Sequence, residues 1–194
     1  TSPTTTVTGL TAGNTVTLRW TISNGSCAPT TDDVLLRNDV QPTSVAGSDD
    51  ETCADQATYT VSGTSSSNGT ILWTSSSGGS FVDATVDDPT YNISAADVTN
   101  GTVTLTKTVT TALGICSPAV DAMVLTISAL PTAASAGVDI DQCNTSTFTL
   151  AANTPVNGTG VWSVVGPDPG ITITNTTSPT TTVTGLTAGN TVTL

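Results

Sequence analysis

Apolar and polar residues alternate one for one along much of this chain. Val16, Leu18, Trp20 and Ile22 interleave with Thr15, Thr17, Arg19 and Thr21. A period of two places every second side chain on one face, which predicts a strand with one buried side. Asn24-Gly25 is a turn signal, and a second strand is expected around 34–37. The same pattern between Pro42 and Leu130 predicts seven strands, at 44–48, 57–62, 69–75, 80–84, 89–94, 102–110 and 121–127. Ser67-Asn68-Gly69, Gly78-Gly79, Asp87-Asp88-Pro89 and Asn100-Gly101 punctuate them. Seven short antiparallel strands in one domain predict an all-β, immunoglobulin-like sandwich with Greek-key connections.

The stretch TSPTTTVTGLTAGNTVTL occurs twice without a change, at Thr1–Leu18 and Thr177–Leu194, 176 residues apart. Such an identity marks a tandem array. A weaker internal match divides the period. Ala46–Cys53 and Ala136–Cys143 share Ala-Gly-x-Asp-x-x-x-Cys, and Thr58–Trp73 aligns without gaps on Thr147–Trp162. Asp88-Pro89-Thr90 matches Ser178-Pro179-Thr180, and Cys116–Leu125 matches Cys27–Leu36. The expected organisation is therefore tandem. Residues 1–41 are the C-terminal part of a preceding domain and 42–130 a complete domain. Residues 131–194 begin a second domain, completed by the equivalent of 19–41 in the next repeat. On this reading the chain is an internal stretch of something longer, which is also why no signal peptide is expected.

Thr, Ser, Val and Gly dominate, only 9% of residues are charged, and the net charge is −12. Branched side chains suit a pleated surface. An acidic array repels itself and disfavours nucleic acid and anionic membranes. No apolar run is long enough to span a bilayer as a helix. Histidine is absent, which removes the commonest general base and the commonest transition-metal ligand. Abundant hydroxyls without a base predict no enzyme.

The four cysteines fall one early and one late in each domain, with a Trp between. That order matches the inter-sheet disulfide of an immunoglobulin-like sandwich, so Cys53–Cys116 is expected to be bonded. Cys27 and Cys143 are then expected to pair with adjacent repeats. Trp20, Trp73 and Trp162 are the expected core aromatics.

The run NGTILWTSSSGGSFVDATVDDPTY, followed by VTLTKTVT, a Cys and DAMVLTI, resembles the PKD-like immunoglobulin-type repeats of giant bacterial surface adhesins. So does the sibling run NTTSPTTTVTGLTAGNTVTLRWTISNGSCAPTTDDV. The family includes the gliding-motility adhesins exported by type IX secretion, and the resemblance covers nearly the whole chain. It implies a structural shaft of a long extracellular, cell-surface filament that mediates attachment and gliding-type motility. Its implied partners are neighbouring repeats packed head to tail, identical chains in a bundle, and a substratum or glycans contacted through another region. The alternative is a carbohydrate- or ligand-binding sandwich on a secreted protein.

Two further features carry candidate chemistry. Asp49, Asp50 and Glu51 form an acidic cluster that is a candidate calcium site, although the spacing fits no EF-hand or RTX loop. No other cofactor is expected. Lys107 shares parity with Val103, Leu105 and Val109 and aligns with Trp20 of the sibling domain. An inward lysine can snorkel from a strand end or form an isopeptide bond with Asn or Asp, and snorkelling is the expected arrangement.

Overall fold

The computed structural model of the protein describes residues 4–194, so the first three residues of the duplicated stretch lie outside it. The chain divides into two units, Thr1–Ser128 and Ala129–Leu194.

Unit 1 opens with an antiparallel hairpin of β1 (Thr15–Ile22) and β2 (Thr30–Arg37), whose register runs from Thr15↔Arg37 to Ile22↔Thr30. Then come β3 (Thr43–Val45), β4 (Asp50–Cys53), β5 (Thr58–Thr60), β6 (Ser65–Ser67), β7 (Thr70–Ser75), β8 (Ser80–Phe81) and β9 (Thr90–Asn92). Helix α1 (Ala95–Asn100), β10 (Thr102–Thr110) and β11 (Ala119–Ser128) complete the unit. One sheet has the order β4-β11-β10-β7 and another β5-β9-β8, with β3-β6 as a small third pair. This is an all-β sandwich. Its core is built from alternate residues of the strands: Val103, Leu105, Met123, Leu125 and Ile127 from β10 and β11 meet Trp73, Val61 and Tyr91. The Thr residues between them stay half-buried or exposed, the outer half of the same alternation. Trp73, Phe81 and Tyr91 stack in series, with ring centroids 5.8 and 5.0 Å apart.

Three elements depart from the expected strands. β4 pairs in parallel with β11 although its sequence, Asp-Glu-Thr-Cys, is polar. β6 is three serines held against β3. α1 fills the space where only a turn was expected: Ser94 caps it through Asp97, and Gly101 ends it in the left-handed region.

Unit 2 contains β12 (Thr147–Thr149), β13 (Thr172–Ile173) and β14 (Thr182–Thr184), in the order β12-β14-β13. This sheet repeats β5-β9-β8. Phe148 faces Val183 as Tyr59 faces Tyr91, and Leu150 N–H donates to Thr181 O as Val61 N–H donates to Pro89 O. The fold therefore sets Pro89 opposite Thr181, two residues from the Pro179 that the sequence match selects. The ladder, not the proline, fixes the correspondence.

The duplicated stretch folds partly alike in its two settings. Asn14 and Asn190 close the same turn on Thr11 and Thr187, with backbone bonds of 3.2 Å in each. Upstream the copies diverge. Val183 is buried within β14, whereas Val7, the same position in the first copy, is 45% exposed and outside any strand. A strand forms where a ladder partner exists, whatever its own propensity.

The expected Cys53–Cys116 bond is corrected. All four thiols are free. Cys53 lies opposite Ser128 at the end of β11, whereas Cys116 precedes Ala119 at its beginning. Ten residues of strand separate the two ends by about 30 Å. A disulfide needs Cα atoms within about 7 Å. Cys27 and Cys143 are exposed thiols.

Candidate functional site

Lys107 occupies the middle of β10, opposite Trp73 on one side and Asp121 on the other. Strand alternation turns it inward, and it is wholly buried, not snorkelling. Its ammonium donates to Asp87, to Ser65 O at 3.0 Å, to Val45 O at 3.3 Å and to Thr64 Oγ1 at 3.4 Å. It also stands 5.7 Å from the centroid of the Trp73 ring. Asp87 also accepts from Ser66, and the Lys107 hydrogen bond is the main reason its carboxyl sits below the ordinary carboxylate range. The geometry is that of a buried ammonium held by two carbonyls, a hydroxyl and a carboxylate that still reaches solvent.

The acidic cluster lies elsewhere and is dispersed. Asp49 accepts from Val124 N–H at 2.8 Å. Asp50 accepts from Glu51 N–H at 2.8 Å and from the Tyr59 hydroxyl at 2.6 Å. Glu51 accepts from Ser128 Oγ. Consecutive strand residues point to opposite faces, so Asp50 and Glu51 diverge. Among the described residues no group of three or more His, Cys, Asp or Glu side chains is placed to hold a metal. The Tyr59 bond holds Asp50 below the usual range, and burial followed by Asp50 pushes the Tyr59 phenol up.

In unit 2 the place of the lysine is a cavity of 290 Å³. Trp162 lies in its wall, with Ala134, Asn153, Pro155 and Pro179. The correspondence with unit 1 is fixed by hydrogen bonds. Trp73 donates its backbone N–H to Ala84 O and its indole N–H to Val86 O, and Trp162 donates likewise to Thr176 O and Ser178 O. The residue after the indole acceptor is Asp87 in unit 1 and Pro179 in unit 2. Of the expected core tryptophans, Trp73 is buried and Trp162 half-buried. Trp20 is corrected: it is 47% exposed, because the face of β1 that carries it is covered by no second sheet among the described residues.

That face belongs to a hairpin that copies β10–β11 pair for pair. Val16↔Leu36, Leu18↔Val34 and Trp20↔Asp32 stand where β10–β11 have Val103↔Leu125, Leu105↔Met123 and Lys107↔Asp121. In β10–β11 these apolar residues are buried; in β1–β2, Trp20, Ile22 and Val34 are exposed. On the outer face Arg19 makes a two-bond pair with Asp33, at 2.8 and 2.9 Å.

No protein-family model matches the chain, and no curated protein sequence does. Among solved structures the chain is similar to mouse clustered PcdhgC3 EC1-3, at 14% identity and a TM-score of 0.39. The alignment covers 88% of this chain and 65% of that one, so the chain spans less than two thirds of that structure. At this similarity the sandwich assignment rests on the strand registers above.

Two features of the site escaped sequence reasoning. The partner of Lys107 lies 20 residues away in a turn-like Asp-Asp-Pro run, where a carboxylate signals a loop and not a core contact. The cavity was invisible because it needs the two-residue shift that brings Pro179 to the place of Asp87. A signal existed for the lysine: one inward charge in a strand demands a partner.

Proposed function

We propose that this chain is a structural shaft repeat of a long extracellular filament, secreted and held at the cell surface, with no catalysis of its own. The observation that carries the reading is the recurrence of 18 residues at a spacing of 176, joined to the shared register of β1–β2 and β10–β11. One strand pair used twice in one chain is what a tandem array of sandwiches requires. The finer reading is a shaft segment of a gliding-motility adhesin of the SprB kind, whose adhesive contact lies in another region. Cofactors have no part in it. Trp73, Phe81 and Tyr91 lie stacked within unit 1, which weighs against a glycan-binding aromatic platform. The acidic surface supports solubility and spacing between neighbouring fibres.

Electron microscopy of the native material tests this. A strand of about eight residues rises about 3.3 Å per residue, so each domain adds about 30–40 Å and each period about 60–80 Å. A beaded fibre with that axial repeat is expected. Compact particles without an axial repeat would overturn the reading.

A further inference from the structure

We propose that the uncharged outer face of β7, β10 and β11 is a lateral contact, on which the same face of a second copy of this chain seats. The inference rests on the repeat reading for how many such contacts form, and goes beyond it in naming a face and a partner.

The face is the outward half of the strand alternation. Val103 to Val109 and Met123 to Ile127 bury every second residue, which turns the residues between them out. The registers set those residues in rows across three strands. Leu72, Thr108 and Val120 form one row, and Thr74, Thr106 and Ala122 the next. Leu72 is 53% exposed and Val120 61%. No residue in these rows is ionisable, in a chain of net charge −12. The acids of this domain lie off the face. Asp50 and Glu51 stand in β4 at the edge of the sheet, Asp83, Asp87 and Asp88 lie between β8 and β9, and Asp121 turns to accept from Ala46 N–H at 2.8 Å. Apolar and hydroxyl groups at the centre with charge at the rim are the composition of a protein interface.

Charge selects the occupant. A basic partner is drawn to the acidic rim and loops, whereas two copies at −12 meet most cheaply where neither carries a charge. The area says how they meet. Three strands about 4.8 Å apart and about 25 Å long give about 350 Å² per copy, or about 700 Å² for the pair. Stable interfaces bury about 1,200–2,000 Å². One contact is therefore weak and holds firmly only where it recurs. On the repeat reading it recurs every 176 residues, so the partner that engages successive contacts in register has the same period. That partner is a second copy of the array. The sibling domain does not offer the same face. β1–β2 keeps the register, but Arg19 and Asp33 stand where β10–β11 have Thr106 and Ala122, and fill the outer face with an ion pair. Lateral contact is thus confined to one domain in two. A face set on its own copy is isologous, so it pairs fibres side by side and does not extend them.

Backbone amide NMR spectra of the full chain, taken up to about 1 mM, are the test, since a contact this small should dissociate near that concentration. Concentration-dependent shifts are expected at Thr104, Thr106, Thr108, Val120 and Val124. They should grow with added sodium chloride, because salt screens the repulsion between acidic rims and leaves the apolar contact intact. Val120→Glu and Leu72→Glu should each weaken association by at least about tenfold. Both side chains are exposed, so the far-UV circular dichroism should not change. Val82→Glu adds the same charge at a residue 71% exposed and off the face, and should leave association unaltered. Spectra without concentration dependence, shifts that spare β10 and β11, association that weakens with salt, or a Val120→Glu variant that associates like the parent would each overturn the proposal. A chain that does not associate beside a beaded native fibre would sink the lateral contact and leave the shaft reading standing. Association through this face beside native particles without an axial repeat would do the reverse.

Discussion

Lys107 and Asp87 form an ion pair in which the lysine is wholly buried while the aspartate side chain remains 44% exposed. The lysine bears the cost of desolvation, and the aspartate and three oxygen acceptors offset it. Removing one member of such a pair costs more than removing both, because the survivor is left charged and dry. Asp87→Ala should therefore destabilise unit 1 by about 3 kcal/mol, the low end for a broken buried pair given the solvent that reaches Asp87. Lys107→Met combined with Asp87→Ala should recover most of that loss. Urea midpoints of the parent, the single and the double variant would decide it. A double variant no better than the single one would show that the carbonyl contacts, not the charge pair, hold the site.

The same carboxylates set an acid limit on the fold. The Lys107 bond holds Asp87 below the ordinary range, and the Tyr59 bond does so for Asp50. Burial pushes Asp97 up, but hydrogen bonds from Ser94, Ser77 and Tyr91 outweigh it, so it too lies low. A group whose pKa falls on folding binds protons more readily in the unfolded chain. Its contribution is whole above the unfolded value, about 3.9, and is lost as pH drops through the folded one. Stability should thus be nearly level from about pH 7 to 5 and fall below about pH 4. Asp87→Asn should flatten part of that fall. Urea midpoints that stay level down to pH 2 would contradict the assignment.

The parallel pairing of β4 with β11 puts Cys53 and Cys116 at opposite ends of one strand. The denatured monomer should therefore titrate four thiols without reductant. Cys53→Ser should cost less than about 1 kcal/mol, because no cross-link is lost and the side chain is only partly buried. Two missing thiols in a monomer of native stability would restore the intradomain bond and demand a different register for β4.

How much of this was legible depended on whether one residue's pattern or two residues' meeting carried the information. β10 could be read to its ends, because Val103 to Val109 alternate with threonines without interruption. β11 was read within two residues. β4 and β6 were not readable, since Asp-Glu-Thr-Cys and Ser-Ser-Ser gain their strand geometry from partners and not from apolar parity. α1 carried a signal, Ser94 three residues before Asp97, that the nearby Asn100-Gly101 turn overshadowed. The inward parity of Lys107 was visible, but Asp87 was not visible as its partner. Trp20 was assigned to a core from its place in the alternation of β1. Alternation gives the face of the strand that carries it, but cannot say which body covers that face.

Glycine shows the same division, and makes a sharp last test. Gly79 belongs to the Gly78-Gly79 turn signal and Gly114 closes a turn on Thr111 after β10, yet they are constrained for different reasons. A Cβ on Gly79 would fall 2.1 Å from the Tyr91 hydroxyl and 2.6 Å from Asn92 O. Tyr91 cannot give way, since it is fully buried between Phe81 and Asp97 and donates to Asp97 at 3.0 Å. Gly114 has no neighbour within 4 Å, but its φ of +64° lies in the left-handed region. Gly79→Ala should cost about 2–3 kcal/mol through overpacking, and Gly114→Ala about 1 kcal/mol through backbone strain. Replacing Gly114 with Asn, which tolerates that region, should recover part of its loss, whereas Gly79→Asn should be worse than Gly79→Ala. Thermal melts of the four variants would separate the mechanisms. Equal losses at the two glycines would mean that Tyr91 is free to move, and that the aromatic stack of Trp73, Phe81 and Tyr91 is looser than its packing indicates.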